Sequence, residues 1–90
     1  MISKNVTING RRTSLRLEQA SWEAMMDICK CEGLTLHELC TLIETRRSGA
    51  SRTSTVRAFI VTYLRTVAAG HGALQGGTVS MIIPEFAAKG

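Results

Sequence analysis

Just ahead of the first long helical stretch lies Arg12-Thr13-Ser14-Leu15-Arg16-Leu17, where polar and apolar residues alternate, with Thr13 in an apolar place. A period of two belongs to a β-strand: Thr13, Leu15 and Leu17 share one face, and Arg12, Ser14 and Arg16 share the other. The first face calls for burial, and the second offers cationic and hydrogen-bonding groups to something anionic. The helical part of the chain that follows supplies no partner strand. The backbone donors and acceptors of this strand therefore need another source, most simply the same strand of a second copy. Two antiparallel copies would double the outward set in a ribbon that a DNA major groove admits.

A second β-prone run, Val6-Thr7-Ile8, precedes it and is followed by Asn9-Gly10. Asn-Gly between two such runs is the strongest short hairpin signal, because both residues tolerate positive φ. Two arrangements of residues 4–17 satisfy these signals: a hairpin within each subunit, or a basic arm leading into a single strand.

Ninety residues make one small domain, and only 4% are aromatic. The apolar content is Leu, Ile, Val, Met and Ala, which suits a small helical core better than a β-sandwich. A core of this size gains from a second copy, so dimerisation is also expected on stability grounds. The net charge of +4 is unevenly laid out. Lys4, Arg11, Arg12 and Arg16 dominate the first strands, and Glu23, Asp27, Glu32, Glu38 and Glu44 dominate residues 19–45. Arg46, Arg47, Arg52, Arg57 and Arg65 stand in 46–66 without an acid. Two basic regions flanking an acidic one can hold a polyanion without coating the whole surface.

Cys29, Cys31 and Cys40 make an odd count, and there is neither a signal peptide nor an apolar run of membrane-spanning length. These features predict a reducing, cytoplasmic setting and no membrane association. Cys29 and Cys31 sit two apart on a predicted helix and point in different directions, so they cannot pinch a metal. Cys29 and Cys40 fall at apolar positions and read as small core residues. No metal or other cofactor is expected.

The first helix is expected from about Glu18–Gln19 to Glu32, with Gly33 as a left-handed stop. Trp22, Met25, Met26 and Cys29, widened by Ile28, form its buried stripe, which reads as core packing. Thr35-Leu36-His37-Glu38 is a capping box that starts the second helix sharply. Leu36, Leu39, Cys40, Leu42 and Ile43 make its apolar face, and it runs out around Thr45–Arg47. A third helix spans about Thr53 to Ala69, with Val56, Phe59, Ile60, Tyr63, Leu64 and Val67 recurring at three and four. Gly70, Gly72, Gly76 and Gly77 then mark a flexible linker. Thr78 to Ile83 reads as a strand or a mobile tail that Pro84 ends. The organisation expected is therefore residues 1–69 as the folded domain and 70–90 as linker and tail.

The order of basic strand, helix, tight Gly turn and capped helix resembles the ribbon-helix-helix (MetJ/Arc-type) DNA-binding proteins. The resemblance is carried by Ser3-Lys4-Asn5-Val6-Thr7-Ile8, Arg12 through Glu18, Leu36-His37-Glu38-Leu39 and Val56 through Val61. It spans roughly residues 3–66 and looks closest to a bacterial branch of short proteins of this kind. It implies a mostly α fold with a short N-terminal β-ribbon, in an intertwined homodimer with intersubunit antiparallel strands. To the family's two helices this chain adds a further C-terminal one. By position, the resemblance makes Arg12, Ser14 and Arg16 the readers of base edges. The start of the second helix, at Thr35 with the amides of Leu36 and His37, would anchor phosphate. Arg46, Arg47 and Arg52 are further candidates for phosphate contacts.

Nothing in the chain spells catalysis. There is no Ser-His-acid set, Gly-rich phosphate loop, zinc spacing or paired carboxylates, and His71 in the Gly-rich stretch reads as incidental. The resulting expectation is a homodimer, or a higher-order assembly on DNA, that binds double-stranded DNA and regulates transcription. The alternative from another class is an antitoxin or adaptor whose residues 70–90 dock on a partner protein.

Overall fold

The computed structural model describes residues 1–70 and 77–87, with side chains as far as Pro84. Two strands, β1 (Ile2–Ile8) and β2 (Arg11–Leu17), precede helices α1 (Gln19–Glu32), α2 (Leu36–Glu44), α3 (Arg52–Ala68) and α4 (Thr78–Ala87). The strands form an antiparallel hairpin whose register runs from Ile8↔Arg11 to Ile2↔Leu17. Asn9 (φ 52°) and Gly10 (φ 77°) make the two-residue turn. Two consecutive positive φ values match the right-handed twist of the strands, and Asn-Gly adopts them at little cost. Of the two arrangements open for residues 4–17, the hairpin is realised. Within the chain, β2 thus has β1 as its partner strand.

The inner face of the hairpin closes one side of the core. Val6, Ile8, Leu15 and Leu17 are buried there with Trp22, Met25, Leu39, Ile43 and Phe59. The indole of Trp22 also donates to the Ile2 carbonyl at 2.9 Å and lies 5.2 Å from the Lys4 ammonium, fixing the start of β1 over α1. Helix α1 ends at Gly33 (φ 68°), the left-handed stop that its sequence predicts. Helix α2 opens with the complete capping box: Glu38 N donates to Thr35 Oγ1 at 3.1 Å and Thr35 N to Glu38 Oε1 at 2.8 Å. The predicted stripes are broader than the contacts they make. Met26, Leu42 and Leu64 stay exposed at the flanks, because each helix buries a narrower arc than its apolar residues span.

Residues Thr78–Ala87 are helical, where a strand or a mobile tail was expected. Val79, Ile82 and Ile83 are buried, a three-and-four spacing that packs α4 against α3, and Pro84 is accommodated inside the helix. The β-branched composition of the segment conceals that spacing. The Glu32 carboxylate, at the end of α1, holds this corner together. It accepts from the Tyr63 hydroxyl at 2.9 Å and from the Val79 amide at 3.2 Å. Burial and this bond to a carboxylate push the Tyr63 hydroxyl well above its usual range, so it remains a donor. Val79, Ile82 and Ile83 of α4 are thus used in packing within the chain. His71 and most of the Gly-rich linker lie outside the described residues.

Thr78 is buried, and its Oγ1 has no hydrogen-bond partner among the described residues. Removing an orphaned hydroxyl while keeping the shape relieves a desolvation cost of about 1–3 kcal/mol. Thr78→Val is therefore expected to raise stability by about 1 kcal/mol in urea denaturation, and a loss of stability would contradict this account.

Candidate nucleic-acid interface

The outward face of the hairpin is polar along its length. On β2 it carries Arg12, Ser14 and Arg16, all exposed. The register puts Thr7 opposite Arg12, Asn5 opposite Ser14 and Ser3 opposite Arg16. Directly opposed residues project to the same side of an antiparallel pair, so β1 contributes Ser3, Asn5 and Thr7 to this face. Sequence reading places the β2 trio and misses the β1 trio. The signal was present, because Asn9-Gly10 fixes the register and a period of two then fixes the faces. Ser3 and Ser14 hydroxyls bond across the ribbon at 2.9 Å.

Helix starts lie beside both edges of the ribbon. At the β1 edge the Thr7 amide donates to His37 Nδ1 at 2.9 Å, and the Asn9 amide to Thr41 Oγ1 at 3.4 Å. At the β2 edge, Thr53 in the first turn of α3 donates its hydroxyl to the Arg16 carbonyl at 3.0 Å. These contacts cover backbone groups that a two-stranded ribbon leaves open, and they set its position over the helices. His37 is thus bound to the ribbon through Nδ1, leaving Nε2 as the ring nitrogen with the proton to donate in the neutral form. The capping box engages the Thr35 and Glu38 amides. Those of Leu36 and His37 lie in the first turn, where no helical carbonyl is available to them. An open groove of about 520 Å³ separates this helix start from the hairpin tip at Asn9 and Gly10.

The arginines fall into two groups. Arg47 and Arg52 both bind the Glu44 carboxylate, at 3.1 and 3.0 Å, and tie the end of α2 to the start of α3. Arg57 pairs with Glu18 and ties α3 to the junction of β2 and α1. Arg11, Arg12, Arg16, Arg46 and Arg65 have no carboxylate partner among the described residues and are exposed. The structure therefore brings Arg12, Ser14 and Arg16 together on one face. It sets Thr35, Leu36 and His37 beside the other strand, and gives Arg47 and Arg52 an internal partner.

Glu18 illustrates the effect of such pairing. The hydrogen bonds from Arg57, helped by a backbone amide and the Ser21 hydroxyl, hold its carboxyl down at about 2, from an ordinary value of 4.5. A depressed carboxylate adds stability that is present above pH 4.5 and is lost as the pH falls towards 2. Glu18→Gln is expected to flatten the decline of the melting temperature across that interval. An unchanged acid limb would show that the pair does not persist in solution.

Burial pushes the Cys40 thiol up to about 11 and raises that of Cys29, which suits unreactive core residues. Among the described residues no helix is long and apolar enough to cross a membrane.

Comparison with known proteins agrees with this architecture. Neither the curated proteins nor the solved structures give a match. A family model does: the one described as Ribbon-helix-helix domain matches residues 1–64, from β1 through most of α3. With its paired strands, capped second helix and outward basic face, the chain belongs to the ribbon-helix-helix domain family, whose members in general are DNA-binding regulators.

Proposed function

We propose that this chain is a sequence-specific double-stranded DNA-binding protein and a bacterial transcriptional regulator working in the cytoplasm. It acts as a homodimer, and each protomer lays its own hairpin into the major groove. The observation that carries the reading is the contrast among the arginines: Arg12 and Arg16 stand exposed and unpaired on the ribbon among the described residues, whereas Arg47, Arg52 and Arg57 are bound to carboxylates. An unpaired guanidinium on a protruding ribbon can offer its fork to guanine O6 and N7, and Ser14 between them lets the strand sit close to the bases. A two-stranded ribbon is of a width that the roughly 12 Å major groove admits.

Phosphate clamping falls to the start of α2, where, beside the Thr35 cap, the first-turn amides of Leu36 and His37 and the His37 Nε2 side are available. Arg46 adds a cation without a carboxylate partner among the described residues, while Arg47 and Arg52 contribute the charge that Glu44 leaves uncompensated. Support for the dimer comes from the family, which binds DNA as dimers. With one ribbon per protomer, two half-sites one helical turn apart, about 10 base pairs, are the matching target.

The test is fluorescence anisotropy of the pure protein on pooled fragments of its own genome, at several salt concentrations, beside Arg16→Ala. Selective binding that weakens steeply with salt, and loses sequence preference in the variant, is the expected result. Weak binding of every fragment, indifferent to the substitution, would overturn the proposal.

A further inference from the structure

The face read above from β2 is half of what the hairpin presents. Asn5 stands opposite Ser14, between the pairs Thr7↔Arg12 and Ser3↔Arg16, at the centre of the outward face. Its neighbours are less free. Ser3 and Ser14 are engaged with each other, and the Thr7 position is drawn towards His37 through its backbone. Asn5 is exposed, and its carboxamide has no partner among the described residues. Of the six outward residues, it alone carries a donor and an acceptor side by side in one plane. That pattern complements adenine, which shows an acceptor at N7 and a donor at N6 in the major groove. Guanine, with two acceptors there, is matched by the arginines and mismatched by an amide.

We propose that Asn5 of β1 is a specificity-determining residue that reads an adenine lying between the bases gripped by Arg12 and Arg16. The inference rests on the DNA-binding reading above and adds a second strand to it. Arg12 and Arg16 are four residues apart, about 14 Å along a strand rising about 3.4 Å per residue. That length covers about four base steps at 3.4 Å each. Asn5, level with the midpoint, then meets the central pair of about five. The site read by one protomer therefore has guanine contacts towards its ends and an A·T pair near its middle.

The experiment is selection from a randomised duplex pool by the full chain and by Asn5→Ala, Asn5→Arg and Arg16→Ala, with thermal melts run on each. Asn5 is exposed on a strand, and its variants are expected to melt like the native protein. The native chain is expected to enrich a motif with a central adenine. Asn5→Ala should keep the flanking guanines and lose the central preference by about 5- to 150-fold, and Asn5→Arg should replace adenine by guanine there. If Asn5→Ala enriches the native motif unchanged while Arg16→Ala relaxes it, the role of β1 is overturned and the DNA reading stands. A native protein that enriches no sequence overturns both.

Discussion

Replacing Phe59 by alanine is expected to cost about 3–5 kcal/mol, the usual range for removing a fully enclosed phenyl ring. Phe59 has no exposed surface and sits on α3, the helix that meets β2, α1, α2 and α4. Its ring lies 6.2 Å from that of Tyr63, which is in turn bound to Glu32. The cavity left behind would open where these layers meet, with no single element free to collapse into it. At about 0.05–0.15 kcal/mol per residue, a domain of this length holds some 5–13 kcal/mol in total, so the variant would be left near the threshold of folding. Urea denaturation is the measurement, with a lowered midpoint and an unchanged slope as the expected signature. Leu64→Ala, on the same helix but 49% exposed, should fall within about 0.5 kcal/mol of the native protein. Equal costs for the two would contradict the burial pattern of α3.

The second large effect belongs to the ribbon arginines. On the reading proposed above, each bidentate arginine–guanine contact supplies about 1–3 kcal/mol of discrimination. The double variant Arg12→Ala/Arg16→Ala is therefore expected to lose nearly all preference for its site while melting like the native chain. Arg16→Lys separates geometry from charge. A lysine keeps the cation but lacks the planar fork, so general affinity and salt dependence should survive while selectivity falls. Arg52→Gln is the contrasting case. Its guanidinium is bound to Glu44, so its loss should appear in stability with site preference retained. Competition binding with matched and mismatched duplexes distinguishes these patterns. If Arg52→Gln relaxed selectivity as much as Arg16→Lys, the division between reading and bracing arginines would fail.

Most of the local architecture was legible because it depends on short-range chemistry. The Thr35–Glu38 capping box, the Gly33 stop and the Asn9-Gly10 turn each follow from a few residues and need no tertiary information. The outward placement of Arg12, Ser14 and Arg16 followed from periodicity alone. What escaped was pairing at a distance. Whether β2 takes β1 or a second copy depends on competing sheet edges, and the alternation in Arg12–Leu17 is the same in either case. The Glu44 bridges to Arg47 and Arg52 escaped because the loop of residues 48–51 brings α3 back alongside α2, and no local pattern reports that return. Helix α4 was hidden by β-branched residues whose strand preference the packing against α3 overrides.

The hairpin that closes on itself also decides how folding relates to assembly. In a protein whose ribbon needs strands from two chains, neither chain is complete alone, and its stability rises and falls with concentration. Here β2 has its partner and the core its lid before any second copy arrives. The melting temperature should then be nearly independent of protein concentration, with folded monomers persisting under dilution. On the function proposed above, pairing of protomers is then a separate equilibrium, coupled to DNA rather than to folding. On that reading, while monomers predominate, occupancy of a paired DNA site would grow with about the square of their concentration, so modest changes in synthesis or turnover would be amplified there.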